Sequence, residues 1–500
     1  MKAVGLEGAY QNILFIINLL TGTLLCIYPL EIPYLTKRPS FLVKKLKSEN
    51  PNKIYEMDYS QELCNLTLYE ITKNPKKSII NWSYTFDLYC EREYYNAIIT
   101  SIIFVGEMLG TLIILPLPDK YGRSKPLKYI SLVSLFLHFN LLFSFGPTHL
   151  IFLHFLGGFF SQIYPVAYAL FTEFYPNEKN GFITGIFNGF YSFMGIVSCP
   201  FYIISNNWRY FYLITFLIHC YLTYITFKYF IESPRWLHSV GEKERCIASL
   251  LEVAIYNGRE KQWNKFQNDN MDLINKIGTP FLEKEGNSNS VASENKTYNI
   301  FKILQFKSQR MIFIKNTIIR ICSEFNYFGI ILNLGKMKGN FYLNSIFAYS
   351  GELLSELISG KLADKFGRIT LLLISCLIGT IGYILYMVSS SYKFFFVFLA
   401  MLGYSGIFNI ITIYTPEIYP TKIRNIAYSY TALISRLSPV GVPILTQIMP
   451  NIIDYTFIVC GIISGLICLT LEETLGKKIL DHIPEEEEEN ENLKLEFLNH

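Results

Sequence analysis

The chain has 500 residues, of which 51% are hydrophobic, 16% aromatic and only 17% charged, and its mean hydropathy is +0.27. Soluble domains carry about 25% charged residues, so this composition argues against an ordinary soluble protein and indicates a membrane protein. The formal net charge is only +4, and the basic residues form no long basic face, which argues against a nucleic-acid partner. The ten cysteines are too sparse for a disulfide scaffold and lack the spacing of metal ligands.

Twelve apolar runs follow one another along the chain, and each approaches the roughly 20 residues that a helix needs to cross the hydrocarbon layer. The first run is long and lacks an A-x-A cleavage signature, so we expect a membrane helix there rather than a signal peptide. The predicted spans cover residues 10–30, 97–117, 128–146, 149–171, 182–204, 210–230, 311–333, 342–362, 369–389, 392–414, 426–448 and 452–471.

The distribution of lysine and arginine predicts the orientation of these spans. The short basic loops fall on one side of the membrane if both termini are cytoplasmic. The long loop 31–96 then lies outside, whereas a linker over 232–310 and an acidic tail over 472–500 lie in the cytosol. Two sequons in the outer loop, at Asn65 and Asn81, are therefore candidate glycosylation sites.

The outer loop also contains two cysteines, Cys64 and Cys90. An exterior compartment permits disulfides, so a bond between these two residues is the simplest hypothesis. Two free thiols are the alternative.

An internal repeat divides the chain into halves. Asp119-Lys-Tyr-Gly-Arg123 recurs as Asp364-Lys-Phe-Gly-Arg368, at an offset of 364 − 119 = 245 residues. Glu173-Phe-Tyr-Pro recurs as Glu417-Ile-Tyr-Pro, at an offset of 417 − 173 = 244 residues. Such repeats are typical of secondary transporters. The sequence therefore predicts an all-α membrane protein of two six-helix halves, 1–231 and 311–471.

The repeated motifs suggest a cytosolic gate in each half. The glycine permits a positive φ angle in a tight turn, and the arginine can form a bidentate pair with the glutamate that ends a neighbouring span. Such pairs would hold cytosolic ends together in one state and release them in another. The alternative is that the charges only anchor loops at the membrane surface. The repeated gate residues are Asp119, Gly122, Arg123, Glu173, Asp364, Gly367, Arg368 and Glu417.

These motifs resemble the signature loop of the major facilitator superfamily, and further stretches resemble its organic cation, anion and carnitine transporters. The stretches are Phe86–Cys90, Thr172–Phe174, Tyr414–Thr421, Arg424-Asn425, Ser435–Pro439 and Glu473–Gly476. Glu232-Ser-Pro-Arg-Trp236 resembles a motif that these transporters share with sugar porters. The resemblance implies the major facilitator fold and adds Glu232, Arg235 and Arg424 to the gate. Two residues depart from the family pattern: Leu115 replaces a small residue, and Asn180 replaces the arginine seven positions after Glu173. Because of these departures, a transport-inactive receptor or scaffold stays an alternative.

Arg436 lies about ten residues into its predicted span, roughly 15 Å deep, where an ionisable residue marks a pathway or a buried pair. By resemblance, its position holds arginine in anion and carnitine transporters and aspartate in cation transporters. We therefore expect Arg436 to bind an anionic group of the substrate. The alternative is a structural pair with an internal acid.

Other binding candidates follow from the same resemblance. Glu352, Tyr327, Phe328 and Tyr414 match residues that line the family's cavity. A carboxylate attracts a substrate cation, and aromatic rings offer apolar area and cation–π contact. Separately, Arg320 and Glu324 are spaced to neutralise each other on one helix.

The sequence thus predicts a plasma-membrane secondary transporter of organic anions or carnitine-like zwitterions that works by alternating access. The alternatives within transport are an organic cation transporter and a sugar porter. No motif of an enzyme, metal site or cofactor site stands out. The expected partners are a small organic ion, the lipid bilayer, and a coupling ion or exchanged solute.

Overall fold

The computed structural model describes residues 4–5, 8–25, 27–45, 54–57, 64, 69–175, 180–271 and 300–477. The chain divides into two compact units, Met1–Val291 and Ala292–His500. Both units are built mainly of α-helices.

The first unit contains thirteen helices among the described residues. They are α1 (Ala9–Leu25), α2 (Tyr28–Leu35), α3 (Trp82–Thr85), α4 (Tyr94–Ile113), α5 (Leu117–Tyr121), α6 (Ser124–Leu142), α7 (Pro147–Ser161), α8 (Tyr164–Glu173), α9 (Asn180–Ser205), α10 (Trp208–Tyr229), α11 (Pro234–Ser239), α12 (Lys243–Tyr256) and α13 (Glu260–Asp269).

The second unit contains eight helices among the described residues. They are α14 (Ile300–Gln305), α15 (Lys307–Asn333), α16 (Phe341–Phe366), α17 (Arg368–Val388), α18 (Lys393–Ile418), α19 (Thr421–Ser435), α20 (Leu437–Ile448) and α21 (Ile453–Cys468).

Each of the twelve predicted spans coincides with one helix or with two consecutive helices. Within the described residues, six helices are long and apolar enough to cross a membrane, and the bent pair α1–α2 makes a seventh. Charged residues lower the apolar character of α15 and α16, and α21 is short. The protein is therefore a multi-pass membrane protein, and the full number of twelve spans stays a prediction.

Small residues let some helices pack at backbone distance. A Cβ atom added to Gly158 of α7 would lie 2.0 Å from the carbonyl oxygen of Ile103 on α4. In the second unit, a Cβ atom on Gly403 of α18 would lie 2.1 Å from the nitrogen of Gly379 on α17. Close packing of this kind replaces the hydrophobic driving force that lipid cannot supply between helices.

The outer loop begins later than predicted and has structure of its own. Residues 31–35 belong to α2 rather than to a loop, and three antiparallel strands follow in the order β2-β1-β3. The strands are β1 (Phe41–Lys45), β2 (Ile54–Met57) and β3 (Tyr69–Lys73). A disulfide with an S–S distance of 1.97 Å joins Cys64 to Cys90, which lies close to the start of α4.

The segment after α10 is not a plain linker in its first part. Helices α11–α13 contribute Trp236, Leu250 and Trp263 to the hydrophobic core of the first unit. The side chain of Asn257 accepts the backbone N–H of Tyr10 at 2.9 Å and donates to the carbonyl oxygen of Val4 at 2.9 Å. Residues 232–271 are thus part of the first unit, and residues 272–299 of the predicted linker lie outside the described residues.

Candidate functional site

The gate of the first unit is centred on Arg123, at the turn between α5 and α6. Its guanidinium donates to Glu173 at 3.1 Å, to Asp119 at 2.7 Å and to the carbonyl oxygen of Pro118 at 2.8 Å. Glu173 is the last residue of α8, so this contact joins the start of α6 to the end of α8.

The gate of the second unit repeats this arrangement around Arg368. Its Nε and Nη2 atoms both donate to Glu417 at 3.0 Å, and Nη2 lies 3.0 Å from Asp364. A bidentate arginine–carboxylate pair fixes geometry as well as charge. The carboxylate of Glu417 also accepts the hydroxyl hydrogen of Thr474 at 2.6 Å.

A third carboxylate completes each gate by capping the helix that follows the turn. Glu232 accepts the backbone N–H groups of Arg123 and Ser124 at 2.7 and 3.2 Å, where α6 begins. Glu473 accepts those of Arg368 and Ile369 at 2.9 Å each, where α17 begins. Negative charge is favourable at a helix N-terminus, where four N–H groups lack partners within the helix.

The environment of Glu473 favours its ionised form. Partial burial by itself would raise the pKa of this carboxyl group, but the backbone N–H groups of Leu475, Arg368, Ile369 and Thr474 bond to the charged form. These hydrogen bonds prevail, and the pKa of Glu473 is lowered from its ordinary value.

The two gate glycines are required for two independent reasons. Gly122 and Gly367 have φ angles of +92° and +94°, which disfavour any residue with a Cβ atom. An added Cβ atom would also lie 2.3 Å from Glu232 or 2.6 Å from Glu473. The glycine therefore provides both the turn and the space for the capping carboxylate.

Two further predicted gate residues bind backbone groups. Arg235 donates to the carbonyl oxygen of Tyr175 at 3.0 Å. Arg424 donates to the carbonyl oxygen of Tyr419 at 3.5 Å, and its buried Nη2 atom has no hydrogen-bond partner among the described residues. Arg424 has no ion pair with a gate glutamate among the described residues.

Four of the five predicted binding residues lie together in the second unit. Arg436 occupies the break between α19 and α20, and its guanidinium carbon lies 5.7 Å from the ring centre of Phe328. The adjacent Tyr327 donates its hydroxyl hydrogen to Glu352 at 2.6 Å. Glu352 is only 1% exposed, so a cationic side chain and a buried carboxylate flank one aromatic pair.

The predicted pair of Arg320 and Glu324 extends this cluster. The two charged groups lie 3.5 Å apart and are 6% and 1% exposed. The hydroxyl of Ser435, next to Arg436, donates to Glu324 at 2.6 Å, and Arg320 lies over the ring of Tyr428 at 4.9 Å. Sequence spacing indicated the first contact, but only the fold places Ser435 against it.

Tyr414 belongs to another region. Its hydroxyl donates to the backbone carbonyl of Glu472 at 2.9 Å, beside the capping residue Glu473. The ring is fully buried there. The structure therefore groups Tyr414 with the gate of the second unit rather than with Arg436.

The two glycosylation candidates have different outcomes. Asn65 lies outside the described residues. Asn81 is fully buried, and its amide nitrogen donates to the carbonyl oxygens of Tyr34 and Lys37 at 2.8 Å each. A glycan on this nitrogen would require both hydrogen bonds to break, so the structure does not favour modification of Asn81.

Comparison with known proteins shows similarity to membrane transporters. The profile of the family described as "Sugar (and other) transporter" matches residues 39–485. Organic cation/carnitine transporter 4 of Arabidopsis thaliana is 25% identical over 79% of this chain and 74% of its own length. The organic cation transporter-like protein of Drosophila melanogaster is 24% identical over 96% of this chain and 90% of its own length. Solute carrier family 22 member 6-B of Xenopus laevis is 26% identical over 84% of this chain and 75% of its own length.

Solved structures show a related fold. The partially occluded inward-open form of the E. coli xylose transporter XylE superposes with a TM-score of 0.60 at 14% identity, covering 94% of this chain and all of that one. A second structure, titled as the MFS (major facilitator superfamily) proton:xylose symporter XylE bound to 6-bromo-6-deoxy-D-glucose, gives a TM-score of 0.57.

Proposed function

We propose that this chain, which belongs to the sugar (and other) transporter family and has the major facilitator fold, carries organic anions or carnitine-like zwitterions across the plasma membrane. The observation that carries this proposal is the position of Arg436 at a helix break, beside an aromatic pair that ends on the buried carboxylate of Glu352. A guanidinium is always charged and matches the geometry of a carboxylate.

A zwitterion suits this cluster better than a simple cation does. Arg436 would repel a lone ammonium group, whereas a substrate with both charges can contact Arg436 with its anionic end. Glu352 and the rings of Tyr327 and Phe328 then offer a carboxylate and π faces to the cationic end. Relatives named as organic cation/carnitine transporters and as a beta-alanine transporter from Drosophila melanogaster are consistent with such substrates.

The two gates support a mechanism of alternating access. Each gate ties the cytosolic ends of helices together through an arginine that bonds to two acids. Exposed ion pairs contribute only about 0–1 kcal/mol each, but several together can bias two states that differ by a few kcal/mol. We propose that both gates form and break during transport, with both termini in the cytosol.

The test is uptake by cells that express the protein at the surface. Three labelled probes are a small aromatic anion, carnitine and a quaternary ammonium cation, each with and without sodium. Uptake of the anion or of carnitine that is lost in Arg436→Ala, but kept in the exposed control Arg209→Ala, supports the proposal.

Other outcomes would refute the assignment. Uptake of the quaternary cation alone, unaffected by Arg436→Ala, would favour the organic cation transporter. Uptake of a labelled hexose alone would favour a sugar porter. Surface protein that moves none of these probes would favour the transport-inactive receptor or scaffold.

A further inference from the structure

A buried carboxylic acid lies in the first unit, away from the gate. Glu31 belongs to α2, between Pro29 and Pro33, and α2 is bent by 45° from α1. Its side chain is fully buried. Interrupted helices are where membrane transporters hold substrates and coupling ions, because the break frees polar groups inside the membrane.

The carboxyl group has few partners. One oxygen accepts the hydroxyl hydrogen of Ser198 on α9 at 2.6 Å. The other oxygen is buried, and the hydroxyl of Tyr202, also on α9, lies beside the carboxyl group. No lysine or arginine in the described part of the chain forms an ion pair with Glu31. An unbalanced buried charge is costly, so a bound proton is the simplest way to neutralise this group.

Two buried histidines in the same unit have surroundings that suit a neutral ring. His138 and His154 are fully buried, and each Nδ1 atom lies within 3.0 Å of a backbone carbonyl oxygen, of Ser134 and Leu150 respectively. A ring nitrogen that faces a carbonyl oxygen carries hydrogen, so the neutral ring keeps its lone pair on Nε2. Both Nε2 atoms lack a hydrogen-bond partner among the described residues.

Several titratable groups surround Glu31. The hydroxyls of Tyr202 and Tyr212 lie near its carboxyl group, and Tyr34 stacks on Tyr202 at 4.7 Å. Tyr28, one helical turn before Glu31, has its hydroxyl 3.3 Å from His138. Other groups on the neighbouring elements include Cys199 on α9 with Lys37 near it, His154 on α7, His219 on α10, Glu107 on α4 and the Arg38–Glu93 ion pair at the start of α4. Arg38 thus already contacts another acid.

We propose that Glu31 is a proton-binding site that couples proton movement to the transport proposed above. A proton from water on one side forms an O–H bond with the carboxylate, and the neutral acid is then stable in its dry site. When a rearrangement of the bent span admits water from the other side, that O–H bond breaks and the proton leaves to this water. The inference rests on the proposed function for its cargo, but the proton site itself is independent of the cargo.

The first test needs no substrate. Infrared spectra of the purified protein are compared at mildly acidic and alkaline pH, and the C=O band of a protonated carboxylic acid is followed. Glu31→Gln should remove one such band, and Ser198→Ala should shift the same band because the hydroxyl no longer bonds to the carbonyl oxygen. Spectra of Glu31→Gln and Ser198→Ala that both match the wild type would overturn the proposal.

The second test uses carnitine in proteoliposomes. An inward proton gradient should accelerate net uptake by the wild type and have no effect in Glu31→Gln. Exchange of labelled for unlabelled carnitine needs no net proton movement, so Glu31→Gln should retain it. Loss of exchange together with net uptake would assign Glu31 to substrate binding and overturn proton coupling.

The two tests separate the two proposals. If carnitine is not transported at all while the infrared band responds to Glu31→Gln and Ser198→Ala, the substrate assignment fails and the proton site stands. If carnitine uptake depends on Arg436 but neither on the proton gradient nor on Glu31, the substrate assignment stands and the coupling fails.

Discussion

The contribution of Glu473, the capping carboxylate of the second gate, to the stability of the folded protein can be measured. Glu473→Gln keeps the size of the side chain but removes its charge. One carboxylate oxygen accepts the N–H of Arg368 and the other accepts that of Ile369, each at 2.9 Å. The amide has one accepting oxygen, so we expect one of these N–H groups to lose its acceptor.

The expected cost follows from these contacts. A buried donor that loses its acceptor costs about 1–3 kcal/mol, and a hydrogen bond to a charged group is worth about 1 kcal/mol more than one to a neutral group. Partial exposure of Glu473 lowers both contributions. We therefore expect Glu473→Gln to destabilise the folded protein by about 2 kcal/mol.

Thermal unfolding in detergent measures this effect through buried thiols. Cys376 on α17 and Cys468 on α21 are buried, so a thiol-reactive dye reports their exposure. The matched control is Glu472→Gln, because Glu472 is 84% exposed and contacts Lys477 at the surface. We expect a clear fall in unfolding temperature for Glu473→Gln and almost none for Glu472→Gln.

The pH dependence has a definite sign. The pKa of Glu473 is lowered in the folded state, since the hydrogen bonds to its ionised form outweigh its burial. Its stabilisation is therefore complete above the pKa of an unfolded glutamate and is lost as the pH falls through the folded-state pKa. The gap between wild type and Glu473→Gln should close in acid. Equal effects of Glu473→Gln and Glu472→Gln, or a gap that does not change with pH, would refute this account.

Two further predictions concern the gate and the outer loop. Glu417→Gln should slow transport turnover with little change in surface expression, since it weakens the bidentate contact with Arg368; unchanged turnover in a carnitine uptake assay would contradict a gate function. Cys90→Ser should destabilise the outer segment by about 3 kcal/mol, because the lost disulfide closes 26 residues; unchanged proteolysis of this segment would contradict the estimate.

Hydropathy and repeats predicted the positions of the helices and the main gate contacts. The aspartate and the arginine of each motif are in contact, because the short turn keeps them close together. The correspondence between Glu232 and Glu473 was missed, although their offset of 473 − 232 = 241 residues is close to that of the repeat. The sequence indicated only that Glu473 belongs to a family motif after the last span, not that it caps a helix.

Other features depend on contacts that span distant parts of the chain. The sequence places Glu31 in the outer loop, whereas the structure places it in α2, between Pro29 and Pro33. Tyr414 was assigned to the substrate cavity, but the fold turns its hydroxyl to the backbone of Glu472. The contact of Ser435 with Glu324 joins residues 111 positions apart, which spacing within one helix cannot indicate.

The docking of α12 on α1 affects how the protein is made. Asn257 closes the first unit by bonding to Tyr10 and Val4 near the start of the chain. All these groups have been synthesised once the ribosome has passed α13, before α15 of the second unit is translated. Because domains fold as units during synthesis, the first unit can complete its internal contacts while the ribosome is still translating the second. The first unit can therefore pair its polar residues before the later spans are inserted.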